Sequence, residues 1–186
     1  GASLDNNILC IAEKSVVAMR QIEPQLVQEM VKAGCVLLEN QQDIQRLVDL
    51  TVLPNGTPNK KFVGKNASVI LDAAHIPYNG DPRLIILRTP KDHPFAVIEM
   101  LMPILPVVTV DSFDEGLNVC LMLEAGLHHT ATMHSLNMER LNQMARKMKT
   151  SIFVKNGPSY AGLGFSGEGT TTFTIATPTG ESTTSA

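Results

Sequence analysis

Leu105-Pro106-Val107-Val108-Thr109-Val110-Asp111-Ser112-Phe113-Asp114-Glu115 (residues 105–115) is the stretch on which the fold turns. Its first six residues are mostly apolar and rich in β-branched side chains, which suits a buried strand. Asp111 stands where a helix cap would, and Asp114 and Glu115 fall in the first turn, where the peptide dipole favours negative charge. The pattern predicts a strand over 105–110 and a helix over 111–125, stopped by Gly126.

Outward from this stretch the same alternation repeats. Residues 15–19 form a short β-rich run. Residues 23–35 follow, with Leu26, Val27, Met30 and Val31 at helical spacing and Pro24 suited to a first turn. A second helix is predicted over 43–52, ended by the turn signal Pro54-Asn55-Gly56. A short helix over 66–74 and a strand over 84–87 come next. Beyond Gly126 the reading is strand 130–134, amphipathic helix 138–148 and buried strand 151–154. Strands alternating with helices imply an α/β fold, a largely parallel sheet flanked by helices. Residues 1–156 make up this α/β domain. Residues 157–186, rich in Gly, Thr and Pro, are expected to add a Gly-rich loop and an extended C-terminal arm, since Thr172-Phe173-Thr174-Ile175 alternates.

Composition narrows the function classes. The 186 residues are 44% hydrophobic and 18% charged, the balance of a globular chain rather than a disordered one. A net charge of −3 leaves no electrostatic footprint for nucleic acid or an anionic membrane. The longest apolar run, residues 104–110, is far too short to span a bilayer. The start carries no basic leader with a cleavage site, so no signal peptide is expected. Three widely spaced cysteines, Cys10, Cys35 and Cys120, argue against a disulfide framework and for a reducing, cytosolic compartment.

Four features invite a chemical reading. Gly162-Leu163-Gly164-Phe165-Ser166-Gly167 matches the dinucleotide fingerprint, but that motif works only where a strand feeds a helix whose N-terminus holds a pyrophosphate. The residues after it are β-prone, so it reads as a loop packed closely against a neighbour. His128, His129 and His134 cluster around one strand, without the spacing of a metal site. His128 and His129, being adjacent on it, would face opposite ways. Cys10 follows the polar turn-forming run Asp5-Asn6-Asn7. A cysteine emerging from a turn is exposed, and nearby backbone amides can lower its pKa and stabilise an anion. Cys35, closing a helix, and Cys120, inside one, read as small core residues. From these residues alone three readings stand: a thiol enzyme with cofactor, a stand-alone thiol acyltransferase or hydrolase, and a non-catalytic assembly module.

The segment Leu4-Asp5-Asn6-Asn7-Ile8-Leu9-Cys10-Ile11-Ala12-Glu13-Lys14 resembles the catalytic-cysteine segment of the CoA-acylating aldehyde dehydrogenases. The similarity continues through His128-His129-Thr130-Ala131 and is strongest from Thr150 to Gly162. It is closer to the propionaldehyde branch of propanediol utilisation than to the acetaldehyde branch of ethanolamine utilisation. Glu99-Met100-Leu101-Met102-Pro103 resembles the Glu-X-Phe-Gly-Pro segment of the wider superfamily, with Leu101-Met102 in place of Phe-Gly. The resemblance implies the thiol-bearing catalytic domain, separated from an N-terminal cofactor-binding domain. It implies Cys10 as nucleophile, Glu99 as a contact to the nicotinamide ribose, and His128 or His129 as an aid to the attacking CoA thiol. NAD, bound mainly by the other domain, and CoA are the implied cofactor and co-substrate, with a short-chain aldehyde as substrate. A homo-oligomer in the bacterial cytoplasm is also implied, inside a microcompartment whose shell would be met through the N-terminal part.

Overall fold

The computed structural model describes residues 1–165. The predicted C-terminal arm therefore lies outside the described residues. The described residues separate into two compact units, residues 2–112 and residues 113–165 with Gly1.

The first unit runs through a turn, Leu4–Asn7, then β1 (Val16–Met19), α1 (Glu23–Lys32), β2 (Cys35–Leu38), α2 (Gln41–Thr51), α3 (Ala67–Ala73), β3 (Leu84–Arg88), α4 (Pro94–Val97) and β4 (Ile104–Val110). Its strands make one parallel sheet in the order β1-β4-β3-β2. Successive side chains of β3 feed two different cores. Ile85 and Leu87 pack with Leu47, Phe62, Ile70 and Phe95, whereas Leu84 and Ile86 pack with Ala18, Val27, Leu105 and Val107. Both faces of the sheet are thus covered, and that is why β3 and β4 read as continuous apolar runs rather than alternating ones. Pro106 is tolerated in an inner strand because the β1 ladder begins one residue later, at Val107.

Three local expectations are corrected. The helix predicted over 23–35 ends at Lys32, Gly34 takes φ +99°, and Cys35 opens β2 instead of closing a helix. A strand of four residues set directly behind a helix carries too little period to announce itself. The second correction concerns Asp111. The helix after β4 begins at Phe113, and the Asp111 carboxylate accepts from the Arg20 guanidinium, which holds its carboxyl below the usual range. The third is α4, which was not expected. Pro94 opens it, His93 Nδ1 accepts from the Phe95 N–H at 3.2 Å, and Phe95 and Ala96 are fully buried.

The second unit contains α5 (Phe113–Glu124), β5 (Thr130–Met133), α6 (Met138–Met148), β6 (Ile152–Lys155) and a closing turn, Ser159–Leu163. Strands β5 and β6 pair in parallel, Thr130 opposite Ile152. Leu117, Met144 and Met148 form the core between sheet and helices, with Cys120, Ala131, Met133 and Phe153 packed against it. Burial pushes the Cys120 thiol up to about 11. Asn137 caps α6, its side chain accepting from the Arg140 N–H at 3.0 Å. Among the described residues no helix is long and apolar enough to cross a membrane.

The glycines of the fingerprint-like stretch are explained by packing. Gly162 lies in the closing turn against β6, where an added Cβ would stand 2.2 Å from Ile152 Cγ2. Ile152 is β-branched on a strand, so it has little rotamer freedom to give way. Gly162→Ala is expected to destabilise the second unit by about 1–3 kcal/mol, as overpacking does, measured by urea unfolding. A second prediction concerns His93. Burial lowers its pKa from 6.5, outweighing the opposing pull of Asp92, and its ring must be unprotonated at Nδ1 to accept the Phe95 N–H. Its contribution is complete above the unfolded value and is lost as pH falls below it through the depressed folded value. Between pH 7 and about 5 the wild-type chain should therefore lose more stability than His93→Asn, which keeps a capping acceptor and does not titrate.

Candidate active site around Cys10

The run Asp5-Asn6-Asn7 adopts three successive left-handed conformations, φ +47°, +54° and +63°. Such backbone costs roughly 1–2 kcal/mol for most residues, and Asn and Asp are the non-glycine residues that visit it routinely. The buried Asn7 braces the loop. Its Nδ2 donates to the Ala2 and Glu13 carbonyls, each at 2.9 Å, so one amide ties together the chain on both sides of Cys10. A tight turn, Ala12 N–H to Leu9 carbonyl at 2.9 Å, presents Cys10 at its corner, and Ile11 beside it is buried.

Cys10 is exposed, while Cys35 and Cys120 are partly buried. Its pKa is nevertheless raised from 9.0. Partial desolvation is the main cause and the Glu99 carboxylate adds to it, while the backbone N–H groups of Cys10 and Ile11, directed at the sulfur, pull the other way. The amides expected near the thiol are therefore present, but they do not prevail.

Topology explains how Cys10 and Glu99 come together. β1 and β4 are parallel neighbours with Val16 opposite Val107. Cys10 stands six residues before Val16, and Leu101, two residues past Glu99, stands six before Val107. Glu99 itself is exposed, between the buried α4 anchor and the buried Met100 and Met102. Leu101 is left-handed at φ +53°, an outlier for a branched apolar residue, and its carbonyl accepts from the Gly64 N–H at 3.0 Å.

His128 and His129 belong to the second unit, in the link that precedes β5 rather than on the strand. His128 is left-handed, and its Nδ1 is 3.2 Å from the Met148 carbonyl. A carbonyl can only accept, so Nδ1 is the donor in this contact. The His129 N–H donates to Glu124, and its Nδ1 lies 2.7 Å from Thr130 Oγ1. His134 is exposed. Among the described residues no three His, Cys, Asp or Glu side chains are grouped so as to hold a metal ion. Sequence reasoning missed Asn6, Asn7, Gly64 and Leu101 as parts of the site's framework. The one available signal was the Asp5-Asn6-Asn7 run, read as a turn but not as a brace.

No family model matches the chain. Individual proteins do. The chain is 54% identical over 187 aligned residues to the CoA-propanoylating propanal dehydrogenase of Citrobacter freundii, a match covering 100% of this chain and 40% of that protein. It is 45% identical over 191 residues to the acetylating acetaldehyde dehydrogenase of Salmonella typhimurium, covering 100% of this chain and 41% of the relative. Among solved structures, Rhodopseudomonas palustris propionaldehyde dehydrogenase with bound propionyl-CoA superposes with a TM-score of 0.94 at 43% identity, over 100% of this chain and 41% of that one. The propionaldehyde dehydrogenase of a Clostridium phytofermentans fucose-utilisation microcompartment gives 0.92 at 43% identity, over 100% and 42%. The chain is thus similar along its whole length to CoA-acylating aldehyde dehydrogenases, and it spans about two fifths of the length of the curated relatives it matches.

Proposed function

We propose that this chain is the thiol-bearing part of an enzyme that converts propionaldehyde, or another short aldehyde, and CoA to acyl-CoA through a thioester on Cys10. The observation that carries the reading is the braced, exposed Cys10 beside Glu99, in a chain 54% identical to propanal dehydrogenases. Identity to the acetaldehyde enzymes is lower, at 45%, which favours the longer aldehyde. A solved relative from Rhodopseudomonas palustris has CoA bound and its cysteine acylated, and an engineered glycolyl-CoA reductase has bound NADP+. The microcompartment origin of the Clostridium phytofermentans relative supports the same setting in the bacterial cytoplasm here, and a homo-oligomer remains part of the proposal.

The steps follow from the side chains. The Cys10 thiolate adds to the aldehyde carbon and forms a thiohemiacetal, whose oxyanion is matched by backbone N–H donors at the turn. A bound nicotinamide cofactor, held mainly by a domain outside this chain, supplies the hydride acceptor that turns this adduct into a thioester. Glu99, exposed next to the thiol, suits the ribose contact that the resemblance implies. The CoA thiol then attacks the thioester carbonyl, acyl-CoA leaves, and Cys10 is regenerated. Of the two histidines, His128 is the better candidate to take the proton of that second thiol, because its Nδ1 is engaged with the Met148 carbonyl and Nε2 is the nitrogen left to accept. A solved variant of the Clostridium phytofermentans enzyme carries alanine at a histidine 118 positions from the cysteine replaced in another, the interval between Cys10 and His128.

Acyl transfer in reverse needs no nicotinamide. Incubation with propionyl-CoA, followed by mass spectrometry, is expected to find a propionyl group on Cys10 and none on Cys35 or Cys120. Transfer that persists in Cys10→Ala would sink the reading. The role of His128 is tested separately in the full-length enzyme. His128→Ala should lower CoA-dependent turnover about 10²-fold or more while acyl-enzyme formation from aldehyde and NAD continues. Equal loss of both half-reactions would assign His128 a structural role.

A further inference from the structure

Two left-handed residues of the first unit, Asn6 and Leu101, meet at one short segment. Asn6, left-handed in the cysteine turn, donates its Nδ2 to the Gly64 carbonyl at 3.1 Å and to Asn66 Oδ1 at 2.8 Å. Gly64 in turn donates its N–H to the carbonyl of left-handed Leu101 at 3.0 Å. It is itself left-handed, φ +68°, and a Cβ there would meet Ile8 Cδ1 at 2.9 Å. One residue thus touches the segment before Cys10 through Asn6 and Ile8, and the segment after Glu99 through Leu101.

Asn66 sharpens the point. It occupies the N-cap position of α3, yet its side chain makes no cap hydrogen bond. A capping Asn is worth about 1 kcal/mol to a helix, and here its oxygen is given to the cysteine turn instead. Strain at Asn6 and at Leu101 and a forgone cap all accompany the contacts of residues 64–66, a pattern found where geometry serves a site rather than stability.

We propose that residues 64–66 are a positioning clamp that sets the spacing between the Cys10 thiol and the Glu99 carboxylate, with Asn6 as the positioning residue on the cysteine side. The clamp rests on the reading of Cys10 as the reactive thiol. It acts through the backbone: Gly64 holds both turns, and Asn6 and Leu101 are its two handles.

The test is the pH profile of Cys10 alkylation by iodoacetamide, located by mass spectrometry. Asn6→Gly deletes the amide and suits a φ of +54°, so the turn is not put under new strain. With the clamp released, Glu99 drifts from the thiol, and its share of the raised thiol pKa declines. Asn6→Gly should therefore speed alkylation at pH 8 by about two- to threefold, the size expected when one partly solvated charge moves away. In a Glu99→Gln background the same change should do nothing further. No acceleration, or an equal acceleration in both backgrounds, overturns the clamp. Neither result touches propionyl transfer from propionyl-CoA to Cys10, so failure of the clamp and failure of the enzymatic reading are told apart.

Discussion

Because β1 and β4 are neighbours in a parallel sheet, the segments leading into them must emerge at the same edge. One of those segments ends in Cys10 and the other carries Glu99. A cysteine and a carboxylate 89 positions apart in the chain are thereby brought to the same edge by strand pairing. The register is secured from both sides. β4 is packed on both faces by apolar side chains, and a slip of one residue would turn Leu105 and Val107 out of one core and into the other.

That constraint fixes which edge holds the site but not the last few ångströms. The left-handed run Asp5-Asn6-Asn7, the Asn7 brace and the Gly64 link provide the rest. These bonds are short-range and polar and contribute little net stability each, about 1 kcal/mol. Their value is geometric, since each removes one way for the thiol loop to move relative to the chain beneath it.

Legibility from sequence follows the same division. The β4–α5 stretch, α1, α2, α6 and the strands over 84–88 and 130–133 were readable because hydrophobic period and turn chemistry agree there. β2 and α4 were not: β2 follows directly on a helix with only Ala33-Gly34 between, and α4 is a single turn without a period of its own. Among the cysteines, emergence from a polar turn singled out Cys10, and it is the exposed one. The role of Glu99 came only from resemblance, since a lone glutamate before a strand carries no signal. Its nearness to Cys10 is a long-range consequence of sheet order that no local pattern encodes. The raised thiol pKa was also beyond reach, because it depends on a balance between desolvation and a charge from another element.

The opposite edge of the sheet explains why the chemistry is not found where parallel sheets usually bind their ligands, beyond the carboxyl ends of the strands. There the charges are already matched to one another. Arg20, following β1, pairs with Asp111, following β4. Arg88 at the end of β3 meets Glu23 at 2.7 Å and Glu39 at 3.0 Å, joining the start of α1 to the end of β2. Glu23 is only 8% exposed at its side chain, so losing Arg88 would leave a buried charge uncompensated, a costlier outcome than the pair's own modest net worth. At this edge the charges of Arg20, Asp111, Arg88, Glu23 and Glu39 are engaged with one another. The amino edge has the reverse character: exposed Cys10 and Glu99, strained turns, and a glycine that donates to the Leu101 carbonyl and accepts from Asn6. Paired charges occupy one end of the strands, and the exposed thiol stands at the other.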